Sequence, residues 1–156
     1  KGTIYDLEEL ELAYAPPYSS AKDPVNMAGY VIGNVMEGLM KPFYLEDLES
    51  IPEDAVRLDV RTVEEYAGGT IPGFINIPLD SLRERMDELD LTKDIYITCQ
   101  IGLRGYLAQR ILDQAGARTW NLSGGYRFYE MKAKDEQSMA AAMTMCTECG
   151  MEVNAK

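Results

Sequence analysis

A short apolar run, Ile95-Tyr96-Ile97-Thr98, ends at Cys99 and passes through Gln100-Ile101-Gly102-Leu103-Arg104 into Leu107-Ala108-Gln109-Arg110-Ile111-Leu112. The first run reads as a buried strand, and the last repeats its apolar residues at helical spacing. A strand that turns through a few residues into a helix is the repeating unit of a sheet wrapped by helices. Cys99 therefore falls at a strand's carboxyl end. That is where such sheets bind ligands, and where a helix's first backbone N–H groups face the connecting loop.

The same alternation extends on both sides. Ala55-Val56-Arg57-Leu58-Asp59 reads as a strand, Thr62 caps a short helix over Val63-Glu64-Glu65-Tyr66, and Phe74-Ile75-Asn76-Ile77 reads as the next strand. Leu82, Met86 and Leu89 are spaced for an amphipathic helix over 79–89. Arg118-Thr119-Trp120-Asn121-Leu122 supplies another strand, with Trp120 in the core, while Pro72, Gly73 and Pro78 read as turn residues. The fold class implied is α/β, a parallel sheet with helices on both faces.

Only the thiolate of a cysteine is a nucleophile, so a catalytic Cys99 needs stabilisation of negative charge on its sulfur. The sequence offers two sources, the loop amides at the positive end of the following helix and Arg104 closing the loop. The alternative is an inert Cys99, a small buried hydrophobe at a strand end.

Leu58-Asp59-Val60-Arg61, Glu64-Glu65-Tyr66, the run Gly69-Thr70-Ile71-Pro72-Gly73-Phe74-Ile75-Asn76-Ile77-Pro78-Leu79 and Asn121-Leu122-Ser123-Gly124-Gly125-Tyr126 occur in this order. Together with the cysteine loop they resemble the rhodanese domain, over about residues 42–131. The resemblance implies a Cys99 that carries a persulfide during sulfur transfer. It also implies that Gln100, Ile101, Gly102, Leu103 and Arg104 cradle that persulfide, with Asp59 and Arg61 as supporting neighbours. Thr70 departs from the family pattern, which has histidine there. Phosphatases of the related fold place five residues between cysteine and arginine, whereas four stand between Cys99 and Arg104.

Before this domain, Leu12-Ala13-Tyr14-Ala15-Pro16-Pro17-Tyr18 reads as an extended stretch. Asp23 then caps a helix with Pro24 in its first turn, Val25, Ala28, Val31, Ile32, Val35, Met36 and Leu39 on one broad face, and Gly38 and Pro42 at its end. Through Tyr14-Ala15-Pro16-Pro17 followed by Lys22-Asp23-Pro24-Val25-Asn26, roughly Asp6 to Leu39 resemble the closing part of the dimerisation domain in pyridine nucleotide-disulfide oxidoreductases, particularly coenzyme A-disulfide reductases. Some members of that group carry a rhodanese domain at the carboxyl end. The resemblance implies FAD, NAD(P)H and coenzyme A for a full-length homodimeric enzyme, with its FAD and NAD domains as partners of this segment. It also implies a tyrosine near a thiol site, for which Tyr14 and Tyr18 are candidates. This chain itself carries no Gly-x-Gly-x-x-Gly fingerprint, so no flavin or nicotinamide site is read from it.

The chain has 156 residues, enough for one core plus flanks, read as 1–41, a rhodanese domain over 42–132, and a mobile tail over 133–156. A net charge of −11 opposes nucleic acid and anionic membranes. No apolar run reaches spanning length and no leader opens the chain, so cytoplasm is the expected location. Lys1 in place of an initiator methionine reads as an excised fragment. There is no histidine, which removes Ser-His-Asp triads, Cys-His pairs and histidine-ligated zinc from consideration. The tail holds Cys146-Thr147-Glu148-Cys149, either a redox pair or half of a metal site, but no complete metal site is read from the sequence. Two functions remain. One is a sulfurtransferase acting on small sulfur donors and thiol acceptors, and the other is a non-catalytic docking or regulatory module.

Overall fold

A computed structural model of the chain describes residues 2–12 and 23–148, from 141 onward by backbone alone. It separates into two compact units, Lys1–Pro42 and Phe43–Lys156.

In the first unit, α1 (Ile4–Glu8) precedes α2 (Pro24–Met36). Asp23 caps α2 by accepting the Val25 N–H at 2.9 Å, with Pro24 in the first turn. The face that packs is the narrow one. Gly29 and Gly33 are buried against α1, and Asn26 Nδ2 donates to the Leu7 and Leu10 carbonyls at 2.9 and 3.0 Å. The broad apolar face, including Val25, Val31, Ile32, Val35 and Met36, is exposed. Tyr14 and Tyr18 lie outside the described residues.

The second unit is a sheet with the order β1 (Pro42–Phe43), β5 (Arg118–Leu122), β4 (Asp94–Thr98), β2 (Val56–Asp59), β3 (Ile75–Asn76). Strands β2 to β5 run parallel, with Asp59 beside Thr98 and Ile97 beside Asn121. Alternation along β4 sends its residues to opposite faces. Ile95 and Ile97 enter a core with Leu58, Leu82, Ala108 and Leu112, the last two from α4 (Leu103–Gln114). Tyr96 enters the other core with Phe43, Phe74, Leu122 and the α5 (Gly125–Glu148) residues Tyr126 and Tyr129. There Trp120 stacks on Tyr96 at 5.1 Å, half-buried beside the core. Helix α3 (Val63–Ala67) starts on a capping box between Thr62 and Glu65.

Two expectations are corrected. Residues 79–89 form two short 3₁₀ turns, Leu79–Ser81 and Met86–Glu88, instead of one α-helix. Tight turns also bring residues three apart to one side, so Leu82 and Leu89 reach the core without a continuous helix. Helix α4 begins at Leu103, placing Arg104 in its first turn instead of ahead of it. Helix α5 continues through 133 to Glu148, in the segment read from the sequence as a tail. That region is rich in alanine and methionine, which are strong helix formers. Cys146 lies in the backbone-only part of α5, and Cys149 lies outside the described residues.

Because Ile97 is fully buried between the sheet and α4, Ile97→Ala is expected to lower unfolding free energy by about 3 kcal/mol in urea titration.

Candidate active site

Cys99 directly follows β4 and is only 1% exposed. Its Sγ accepts the Gly102 N–H at 3.0 Å. Gly102 is the N-cap of α4 and has φ +126°, a backbone conformation that L side chains rarely adopt. A Cβ there meets open space, so glycine is required by conformation and not by crowding. The Gly102 carbonyl accepts from Tyr106 N at 2.9 Å and from Asn121 Nδ2 at 3.0 Å. The amide that faces the sulfur is thus fixed from α4 and from β5.

A second helix holds the other side of the loop. Tyr126 N donates to the Cys99 carbonyl at 2.8 Å, and Arg127 N donates to the Gln100 carbonyl at 3.1 Å. Both amides lie in the first turn of α5, where backbone donors lack partners within the helix. Gly125 has φ +59°, and a Cβ on it would collide with the Cys99 carbonyl. Of the remaining loop residues, Ile101 and Leu103 turn outward at 61% and 64% exposure.

Arg104 is held by a carboxylate from another element. Its guanidinium forms a bidentate pair with Glu65, at 2.6 and 2.8 Å, across 39 residues of sequence. Glu65 also accepts the Thr62 N–H at 2.9 Å. The Arg104 hydrogen bonds dominate the environment of the Glu65 carboxyl and hold it down at about 2. Reciprocally, Glu65 raises Arg104 above its usual value, with smaller contributions from Cys99 and Asp59.

Asp59 and Arg61 form a pair at 0% and 1% exposure, with Arg61 Nη2 at 2.7 Å from Asp59 Oδ2. Arg61 donates further to the carbonyls of Glu65 at 3.3 Å and Gly69 at 2.7 Å. Its guanidinium carbon lies 3.9 Å from the centre of the Tyr126 ring. Asn76 Nδ2 completes the cluster by donating to the Asp59 and Arg61 carbonyls, both at 3.0 Å. Thr70 turns its hydroxyl to the Ile71 carbonyl at 3.4 Å.

Sequence reasoning did not single out Glu65, Asn121, Gly125 or Tyr126 for these roles. Glu65 was legible as the third helical residue of a capping box, but its partner is remote in sequence. The run from Asn121 to Tyr126 was visible as a motif without a contact to attach to it.

The model of the Rhodanese-like domain family matches residues 45–132, and the chain belongs to that family. A sulfurtransferase of Allochromatium vinosum is 39% identical over 74 residues, covering 47% of this chain and 69% of the relative. The uncharacterized protein YqhL of Bacillus subtilis is 33% identical over 109 residues, covering 69% of this chain and 84% of the relative. Among solved structures, reduced CoADR-RHD of Bacillus anthracis is similar at 49% identity and a TM-score of 0.78. A NAD-dependent persulfide reductase from A. fulgidus is similar at 43% identity and a TM-score of 0.71. Each of these two matches covers 81% of this chain and 23% of the solved one, so the chain spans about a quarter of their length.

Two outcomes follow from the geometry. Gly125→Ala should displace the Cys99 carbonyl from the α5 amides, and the substitution is expected to cost about 1–3 kcal/mol of stability in denaturant titration. The Glu65 carboxyl is lowered on folding, so its stabilisation is present above its ordinary value of 4.5 and is lost as pH falls toward about 2. The stability difference between the unmodified protein and Glu65→Gln should therefore be full near neutrality and shrink through that window, as read by thermal melts against pH.

Proposed function

We propose that this chain transfers sulfane sulfur through a persulfide on Cys99, as one module of a larger flavin- and nicotinamide-dependent enzyme that reduces persulfides, polysulfides or coenzyme A disulfide. The observation that carries the reading is the Gly102 N–H aimed at Cys99 Sγ at 3.0 Å, at the amino end of α4. A backbone donor at the positive end of a helix stabilises anionic sulfur before and after transfer.

In the forward step the Cys99 thiolate attacks the outer sulfur of a donor. A new S–S bond forms as the donor's S–S bond breaks, and the electron pair leaves with the donor thiolate. An acceptor thiolate or cyanide then attacks the outer sulfur and releases Cys99 as thiolate. No external oxidant or reductant enters either step. Gln100 to Leu103 supply the loop that surrounds the sulfur, and Arg104, Asp59 and Arg61 hold the elements that shape it. A docking module without chemistry has no use for a positive-φ glycine that presents an amide to a cysteine.

Membership in the larger enzyme is supported by the two solved structures, whose matches cover 81% of this chain, more than residues 45–132 alone. The exposed apolar face of α2 also fits a segment made to pack against further domains or the second subunit of a homodimer. FAD, NAD(P)H and coenzyme A would be bound by those domains, and small sulfur donors and thiol acceptors would meet this one. Among the described residues no helix is long and apolar enough to cross a membrane.

Incubation with polysulfide should add one sulfur atom at Cys99, detectable by peptide mass spectrometry and removed by cyanide as thiocyanate. Cys99→Ser should lower donor-to-cyanide transfer by at least about 10³-fold, to background. Transfer that survives in this variant would remove Cys99 from the reaction.

A further inference from the structure

Two guanidiniums stand near the carboxyl end of β2 and β4, and each is matched by its own carboxylate. Arg61 is matched by Asp59 and Arg104 by Glu65. The second pair matters for the sulfur because Arg104 is the cation whose field includes Cys99. Glu65 is held from two directions, by both terminal nitrogens of Arg104 and by the Thr62 N–H. It is ionised throughout the pH range in which a thiolate exists. The positive charge that the sequence places beside the nucleophile is thus neutralised, and the Gly102 amide is left as the donor facing the sulfur.

We propose that Glu65 is a specificity-determining residue. By neutralising Arg104, it favours donors that carry at most one negative charge in all, such as small organic hydropersulfides, over dianionic oxyanions such as thiosulfate. This rests on the sulfur-transfer reading given above.

Cys99 is 1% exposed, so a donor must lose water to reach it, and the cost of desolvation rises steeply with charge. One backbone amide offsets a single charge far better than two. The net charge of −11 adds an unfavourable field for any dianion approaching from solution. The side chains beside the loop point the same way. Ile101 and Leu103 are exposed at 61% and 64%, and they offer apolar contact to an organic group and no donor to sulfonate oxygens. With a hydropersulfide the step balances: Cys99–S⁻ and R–S–SH give Cys99–S–SH and R–S⁻, with one S–S bond formed and one broken.

The test uses the full chain and two independent readouts. The first is the rate at which Cys99 is alkylated by iodoacetate, an anion, relative to iodoacetamide, its neutral counterpart, resolved by peptide mass spectrometry. Glu65→Gln removes the charge but keeps a side-chain oxygen for the capping box, so α3 retains its start. The iodoacetate-to-iodoacetamide ratio is expected to rise roughly three- to tenfold in this variant. Arg104→Gln, which leaves Glu65 unpaired, should move the ratio in the opposite direction, and Glu65→Asp should return it toward that of the unmodified protein. The second readout is kcat/KM for thiosulfate relative to the hydropersulfide of 2-mercaptoethanol, which carries at most one negative charge. It should rise by a similar factor in Glu65→Gln, mainly through a lower KM for thiosulfate. Ratios that stay constant, or rates that fall in parallel for both members of each pair, would make Glu65 a purely structural residue and overturn the proposal. If the unmodified protein transfers sulfur from no donor while the alkylation ratio moves as expected, the sulfur-transfer reading fails and the charge selection by Glu65 stands on the first readout.

Discussion

Arg61 carries a full positive charge at 1% exposure, and the arrangement of the site follows from the need to satisfy it. A buried guanidinium left without partners costs several kcal/mol, so every element that approaches it is drawn into a defined position. Asp59 neutralises it from the end of β2, the carbonyls of Glu65 within α3 and of Gly69 just past its end accept from it, and the Tyr126 ring covers it. Tyr126 begins α5, and its own N–H holds the Cys99 carbonyl. One buried cation therefore connects the sheet, α3 and α5 to the loop that carries Cys99.

The loop itself is held mainly by the backbone. Helices α4 and α5 both point their first turns at it, one presenting the Gly102 N–H to the sulfur and the other binding the carbonyls of Cys99 and Gln100. Backbone dipoles suit this role because they are fixed by the helices and need no side-chain ordering on binding. The side-chain charges nearby are paired among themselves, Asp59 with Arg61 and Glu65 with Arg104. The site is thus polar and preorganised while carrying little net charge.

Much of the scaffold could be read from residue patterns. Strands β2, β4 and β5 and the caps of α2 and α3 follow from local chemistry, namely apolar runs with β-branched residues, Asp23 before Pro24, and Thr62 three residues before Glu65. The failures share one cause. Spacing of three to four residues between Leu82, Met86 and Leu89 is compatible with an α-helix and with successive tight turns, and only packing against the core chooses between them. The broad apolar face of α2 stays exposed, and its glycines pack because they let α1 approach closely.

The sequence by itself determined the α/β alternation, the placement of Cys99 at a strand end ahead of a helix, and the family resemblance carried by the ordered motifs, because each depends on neighbours within a few residues. Tertiary structure alone decided which carboxylate pairs with Arg104. Its position in the cysteine loop suggested a charge offered to sulfur, but the fold brings Glu65 against it from 39 residues away. A bidentate pair between opposite charges outcompetes a solvent-facing guanidinium, and no local pattern records which carboxylate the folded chain places within reach.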